Sequence, residues 1–226
     1  MTAKKVSRII VVDDHPVVCN GLRQLIADDS GLSICGTTDN AGDCITLVEK
    51  TPPDMLLVDI SLNGPDGIEL IKQIRQINPH VVILIFSMHD EELYAERALT
   101  AGANGYVMKQ EDPDILLKAI HQVLDGEIFL SPAMTSRLLK RIGGSRVPRN
   151  GELKQCIEKL SDRELEVFEL IGHGLSTRRI AEKLNLSAKT IETYRMHIKE
   201  KFELSDAAEL SHHAVHWVEV GSKASP

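Results

Sequence analysis

Five residues in the first half of the chain are of types that together could handle a phosphoryl group. Asp13 and Asp14 close one short apolar run and Asp59 closes another; Ser87 ends a third, and Lys109 follows a fourth. Carboxylates a few ångströms apart raise each other's pKa and resist joint ionisation. A divalent cation relieves that repulsion, and Mg2+ favours a few carboxylates with water and phosphate oxygens. A carboxylate beside such a cation can attack a phosphoryl donor and become an acyl phosphate. The hydroxyl and the ammonium then supply donors to the new phosphoryl oxygens. Taken singly, an acid at a strand end is more often a helix cap or a solvated loop residue, and Asp14 could cap a helix beginning at Pro16. Their joint occurrence at corresponding places is what carries meaning.

To converge, these residues need a parallel sheet. Runs Arg8–Val12, Leu32–Gly36, Met55–Asp59, Val81–Phe86 and Gly105–Met108 are strand-length and rich in Val and Ile. Amphipathic stretches near 16–28, 40–50, 67–77, 90–101 and 112–125 separate them. Continuous apolar strands alternating with helices predict a five-stranded, doubly wound α/β sheet covered on both faces. Its chemistry collects beyond the carboxyl ends of the strands.

After Phe129 the pattern changes. Arg141–Gly151, RIGGSRVPRNG, combines three Gly, one Pro and three Arg and predicts a flexible linker. Beyond it every pattern is helical. Ser161 and Glu164 form a capping box before Leu165, Phe168, Leu170 and Ile171, and Gly172 and Gly174 end that helix. Ser176 can cap a helix through Leu184, and Ser187 a longer one through Phe202. A last helix runs from about Asp206 to Val218. On the longer helix Ile191, Tyr194, Ile198 and Phe202 form one stripe that must be buried. Lys189, Thr193, Met196 and Glu200 lie opposite, flanked by Glu192 and His197. About 15 residues make a rod of about 22 Å, enough to lie in a DNA major groove.

Charge supports two jobs. The 226 residues carry 26 Lys plus Arg and 33 Asp plus Glu, a formal −7. Residues 1–130 hold 10 basic and 20 acidic side chains, 131–150 hold five basic and no acidic ones, and 176–202 hold seven and three. A local excess of +4 on the last of these suits phosphate backbones despite the overall acidity. No apolar run approaches the ~20 residues of a membrane-spanning helix. The start lacks a small-residue cleavage site, which argues against a signal peptide. Cys19, Cys35, Cys44 and Cys156 lack metal-ligand spacing and fit a reduced, cytoplasmic protein. His212, His213 and His216 have zinc-like spacing but no Cys or carboxylate-rich partner, so a structural or surface role is expected; Trp217 reads as a packing anchor.

On IIVVDDHPVV, LLVDISLNGPDGIEL, FSMHD and GANGYVMK, residues 6–127 resemble the receiver domain of bacterial two-component response regulators. The resemblance implies a flavodoxin-like fold with Asp59 as phosphoacceptor, charged by a sensor histidine kinase. It implies that Asp13 and Asp14 help hold Mg2+ at Asp59, with the backbone carbonyl of Ser61 as a further ligand. Ser87 and Lys109 contact the phosphoryl group, and Tyr106 is the aromatic switch that turns inward as Ser87 moves. Asn63 stands where the family often has proline, which bears on loop rigidity. Ser61 and His89 sit where the family varies its dephosphorylation rate.

Residues 160–218, with LSDRELEVFELIGHGLSTRRIAEKLNLSAKTIETYRMHIKEKF, resemble the four-helix DNA-binding domain of the LuxR/FixJ/NarL group. The resemblance implies a recognition helix over about 188–202, with Glu192, Thr193 and Met196 at base edges. Ser176, Arg178, Lys189, Thr190, Arg195 and Lys199 complete the candidate DNA contacts. Tyr194 replaces a histidine common in the family. The last helix, with Ala207, Leu210, Ala214 and Trp217, matches a segment used for dimerisation, and core packing explains it equally.

Together these imply a NarL/FixJ-type response regulator: receiver 1–130, linker 131–155 and helix-turn-helix domain 156–226. The expected protein is a cytoplasmic transcription regulator rather than an enzyme. It takes Mg2+, binds double-stranded DNA as a homodimer when phosphorylated, and engages RNA polymerase. A rival from another class is an aspartyl-phosphate hydrolase on a similar sheet, but such enzymes usually carry the nucleophile on the first strand with a second Asp two positions on. A receiver whose helices bind only protein partners is a further alternative.

Overall fold

The apolar runs form five parallel strands: β1 (Ser7–Val12), β2 (Leu32–Thr38), β3 (Met55–Val58), β4 (Val82–Ser87) and β5 (Gly105–Met108). The structure is a computed structural model that describes residues 6–62, 66–142 and 151–222. Ile9–Val12, Met55–Val58 and Ile83–Ile85 are sealed from solvent, as in a sheet covered on both faces. Strand order is β2-β1-β3-β4-β5, so the order reverses between β1 and β3. Open α/β sheets place their chemistry at that reversal. Val12 pairs with Val58, and the Asp59 N–H donates to the Val12 carbonyl at 2.9 Å. The residues that follow the two strands therefore emerge side by side. On the far side of β3, Lys109 N–H donates to the Ser87 carbonyl at 2.8 Å.

Strand β2 runs two residues beyond its apolar run. The β1–β2 register slips between Ile9 and Ile10, setting Gly36 opposite Ile10 and carrying the pairing on to Thr38. The covering helices are α1 (Pro16–Ala27), α2 (Ala41–Lys50), α3 (Gly67–Ile77), α4 (Glu91–Ala101) and α5 (Pro113–Leu124). Asn40, Asp66, Asp90 and Asp112 cap α2 to α5, each side chain accepting a first-turn N–H. Helix α1 starts on Pro16 after His15 with no side-chain cap, so Asp14 is not used as one.

The sequence predicts a linker over 131–155, but the chain is helical at both ends of that range. Helix α6 (Pro132–Ile142) begins at Ser131, whose Oγ accepts the Met134 N–H at 3.1 Å. Met134 is buried, Ser131 N–H donates to Glu91 at 2.9 Å, and Arg137 pairs with Glu92. Just before it, the Phe129 carbonyl accepts the Tyr106 N–H at 2.9 Å along the outer rim of β5. The middle of the expected linker, 143–150, lies outside the described residues, as does Asn63.

The chain divides into two compact units, 1–145 and 146–226. The second unit is helical: α7 (Gly151–Glu158), α8 (Asp162–Gly172), α9 (Thr177–Lys183), α10 (Ala188–Lys201) and α11 (Ala207–Ser222). Helix α7 precedes the four that the sequence predicts. Ser161 and Glu164 make the reciprocal capping box of α8, and Ser176 and Ser187 cap α9 and α10. Phe168, Ile180, Ile191, Ile198, Leu210 and Ala214 form the core. Gly172 lets α11 close on α8, since a Cβ there would stand 2.4 Å from the Ala214 carbonyl oxygen.

Candidate functional site

Lys109 draws the acids at the ends of β1 and β3 to one point. Its Nζ lies 2.6 Å from Asp59 Oδ2 and 2.7 Å from Asp13 Oδ2. Asp59 is 3% exposed, and its Oδ1 accepts the Ser87 hydroxyl at 2.7 Å. The Ser61 N–H donates to the same oxygen at 3.4 Å. Burial works against the Lys109 ammonium, yet the Asp59 charge and hydrogen bonds to Asp13 and Asp59 prevail and lift its pKa above the ordinary lysine value. A fixed positive charge therefore stands among three carboxylates.

Asp14 differs from its neighbour. Burial raises its carboxyl pKa, with Asp59 and Asp13 pushing the same way against the pull of His15. Its Oδ1 is buried and has no hydrogen-bond partner. An oxygen so placed carries a desolvation penalty that a hard cation would remove. Asp13, Asp14, His15 and Asp59 each offer one ligand atom, all within 4.8 Å of one another. His15 is a member that the sequence alone did not supply. It follows the acid pair directly, but carboxylate chemistry draws attention past it. Beside the acids, a cleft of about 540 Å³ opens between the first two helices, lined by Asn20, Arg23, Thr38, Asp39 and Lys50.

Tyr106 is buried, and its hydroxyl donates to the His89 carbonyl at 2.8 Å. The His89 N–H donates to Ser87 Oγ at 3.4 Å, so Tyr106 and Ser87 meet on one short loop. The His89 ring lies 4.6 Å from that of Tyr94, and its Nε2 is 2.8 Å from Ser61 Oγ. Ser61 and His89 are thus bonded across 28 positions of sequence.

In the second unit, Asn185 takes a left-handed φ of 51° in the turn between α9 and α10. Arg163 on α8, buried and paired with Glu166, donates to the Leu184 carbonyl at 3.2 Å and fixes this turn. Burial of that pair is not visible in the sequence. Ile191 and Ile198 on α10 and Phe202 just beyond its end are buried, while Tyr194 is only half-buried, at the edge of the predicted stripe. Lys189, Glu192 and Thr193 are exposed, as is Met196 at 47%. Thr193 Oγ1 donates to the Lys189 carbonyl at 3.1 Å, and Thr190 Oγ1 lies 2.7 Å from Ser187 Oγ. Arg195 and Lys199 are half-buried, and burial lowers the Arg195 pKa.

Ser176 caps α9, and exposed Arg178 pairs with Glu182 at 3.0 Å. Lys201, one of the seven basic residues of this region, is engaged elsewhere: its Nζ lies 2.5 Å from Glu164. On α11, Leu210 and Ala214 are core residues, Trp217 is half-buried and Ala207 exposed. His213 packs edge-on against Phe202, ring centroids 6.4 Å apart.

Residues 9–121 match the response regulator receiver domain, and residues 158–214 match the bacterial regulatory proteins of the LuxR family. The nitrate/nitrite response regulator protein NarL of Escherichia coli (strain K12) is 31% identical over 209 residues, covering 92% of this chain and 95% of that one. The Fimbriae Z protein of Salmonella typhimurium is 34% identical over 210 residues, covering 93% and 97%. A solved structure of RcsB from Salmonella enterica serovar Typhimurium, bound to promoter rprA in the presence of phosphomimetic BeF3-, aligns with a TM-score of 0.60. It is 28% identical and covers 93% of this chain and 99% of that one. With each half matched in order and most of its length shared with such relatives, the chain belongs to the NarL/FixJ family of two-component response regulators, a receiver domain followed by a LuxR-type helix-turn-helix DNA-binding domain.

Proposed function

We propose that this response regulator is switched by phosphorylation of Asp59 and acts as a sequence-specific, DNA-binding transcription regulator. One observation carries the first part: in a buried pocket, Ser87 holds one oxygen of Asp59 and Lys109 the other. A carboxylate oxygen of Asp59 attacks the phosphorus of a phosphohistidine on a sensor histidine kinase. The P–N bond breaks, the imidazole leaves and an acyl phosphate forms. The Lys109 ammonium and the Ser87 hydroxyl turn to the phosphoryl oxygens. Asp13, Asp14, Asp59 and the Ser61 carbonyl would hold Mg2+, which when bound offsets negative charge on the phosphoryl oxygens. As Ser87 leaves Asp59 it moves the loop whose His89 carbonyl Tyr106 holds, biasing a two-state receiver.

The exposed face of α10 supports the second part. Ser176, Arg178, Lys189, Thr190, Arg195 and Lys199 contact phosphates and set the register; Glu192, Thr193 and Met196 reach base edges. RcsB bound to promoter rprA, a relative over most of this chain, supports the same direction. The regulator works in the cytoplasm, as a homodimer on a two-fold site, with RNA polymerase as its downstream partner.

The test uses a small-molecule phosphodonor with Mg2+. Intact mass rises by one phosphoryl group in the wild type and stays unchanged in Asp59→Asn. Equal labelling of the variant would move the acceptor elsewhere.

A further inference from the structure

We infer that Glu91 and Glu92 are a latch that ties helix α6 to the phosphorylation state of Asp59; this rests on the switching role proposed above for that residue. A short run of chain joins the pocket to α6. Ser87 donates to Asp59 at 2.7 Å, and the His89 N–H donates to Ser87 Oγ at 3.4 Å. Asp90 caps α4, its side chain accepting the Glu92 N–H at 2.8 Å. Buried Glu91 accepts the Ser131 N–H at 2.9 Å with its Oε1, and Glu92 pairs with Arg137. The first carboxylate holds the residue at which α6 begins, and the second grips the helix nearly two turns further on.

Two supports of different kinds therefore place α6. Phe129 belongs to the sheet: its carbonyl accepts the Tyr106 N–H at 2.9 Å, and its N–H donates to the Asn104 carbonyl at 3.2 Å. Only Leu130 separates it from Ser131. Helix α6 thus has a fixed origin beside β5 and takes its direction from α4.

Helix α4 is the mobile partner. Helix α3 buries Ile68, Leu70, Ile71 and Ile74, whereas α4 buries Tyr94, Ala95 and Ala98 besides Glu91. Two alanines supply little apolar area to hold a helix in one place. Tyr94 packs against the His89 ring, centroids 4.6 Å apart, so the main apolar anchor of α4 sits on the switching loop. When Ser87 turns to the phosphoryl oxygens, this loop and the first turn of α4 shift together. The two carboxylates are drawn off Ser131 and Arg137, and α6, the last element of the first unit, is released.

Amide exchange of the full chain, with and without Mg2+ and the phosphoryl mimic beryllofluoride, tests this. In the wild type the mimic should speed exchange at 134–138 by about tenfold or more, the scale of a lost hydrogen bond to a carboxylate. Amides of β1 and β3 should hold their rates. Glu91→Ala should show the fast rate without the mimic and little further change with it. Glu91→Gln keeps an accepting oxygen and should restore both the slow rate and the response. Glu92→Ala alters only a largely exposed side chain and should give a smaller, severalfold acceleration. Unchanged exchange at 134–138 while amides 87–90 respond to the mimic overturns the latch, as does Glu91→Ala with α6 as slow as in the wild type. No response in either segment removes the switching role of Asp59, and this inference with it.

Discussion

Glu164 performs several tasks with one carboxylate. It accepts the Ser161 N–H at 2.7 Å, takes Lys201 Nζ at 2.5 Å and lies 3.7 Å from His197 Nδ1. Burial alone would raise its pKa, but the Lys201 and Ser161 hydrogen bonds hold it below the ordinary 4.5. A depressed folded-state value stabilises the unit above the unfolded pKa, and that contribution fades as pH falls through the folded one. Urea denaturation of the full chain should show the C-terminal transition weakening below about pH 4.5. Glu164→Gln should flatten that dependence and cost about 1–3 kcal/mol at neutral pH. The capping half of this arrangement was legible, because Ser161 and Glu164 stand three positions apart before an apolar run. The Lys201 half was not, since 37 positions separate the partners and only the fold joins them. The acid pocket divides in the same way. Asp13, Asp14, Asp59, Ser87 and Lys109 could be read from the ends of apolar runs, whereas the turn of the His15 ring toward three carboxylates depends on local geometry.

Among elements, those with their own periodicity and caps matched the sequence to within a residue or two, except that α11 runs to Ser222, four residues past its expected end. Helix α6 did not, because its anchors lie far back in the chain: Glu91 is 40 positions from Ser131, and Glu92 is 45 from Arg137. Gly, Pro and Arg in the same region also read as a tether. Two substitutions separate what fastens α6. Arg137→Ala removes a pair whose acid is largely exposed and should cost about 0.2–1 kcal/mol. Met134→Ala empties a buried position and should cost about 2 kcal/mol, the low end for such a truncation. Amide exchange should accelerate within 134–138 in both variants, and more in the second, while β1 and β3 amides hold their rates. The α8–α11 contact has the opposite sensitivity. Gly172→Ala puts a methyl group against a carbonyl and should cost about 1–3 kcal/mol in a urea titration of the full chain.

At the scale of the molecule, the contrast is between an acidic receiver and a basic reading surface, with 20 acids against 10 bases in residues 1–130 and seven bases against three acids in 176–202. If phosphates are the counterpart of the second region, DNA affinity should fall steeply with salt. Lys189→Ala should reduce the log–log slope by about 0.9, the signature of one lost phosphate contact. Fluorescence anisotropy on a promoter fragment at several KCl concentrations measures this, and an unchanged slope would take Lys189 off the DNA. No helix among the described residues is long and apolar enough to cross a membrane. The step at Phe129 also decides how the receiver can be isolated. Residues beyond α5 finish the sheet, and Gly105 lacks a side chain where a Cβ would stand 2.7 Å from the Phe129 carbonyl oxygen. A fragment ended at residue 125 strips that border and leaves β5 open to strand-to-strand association. Ending it after residue 142 keeps the border covered, and light scattering should find the shorter fragment aggregating and the longer one not.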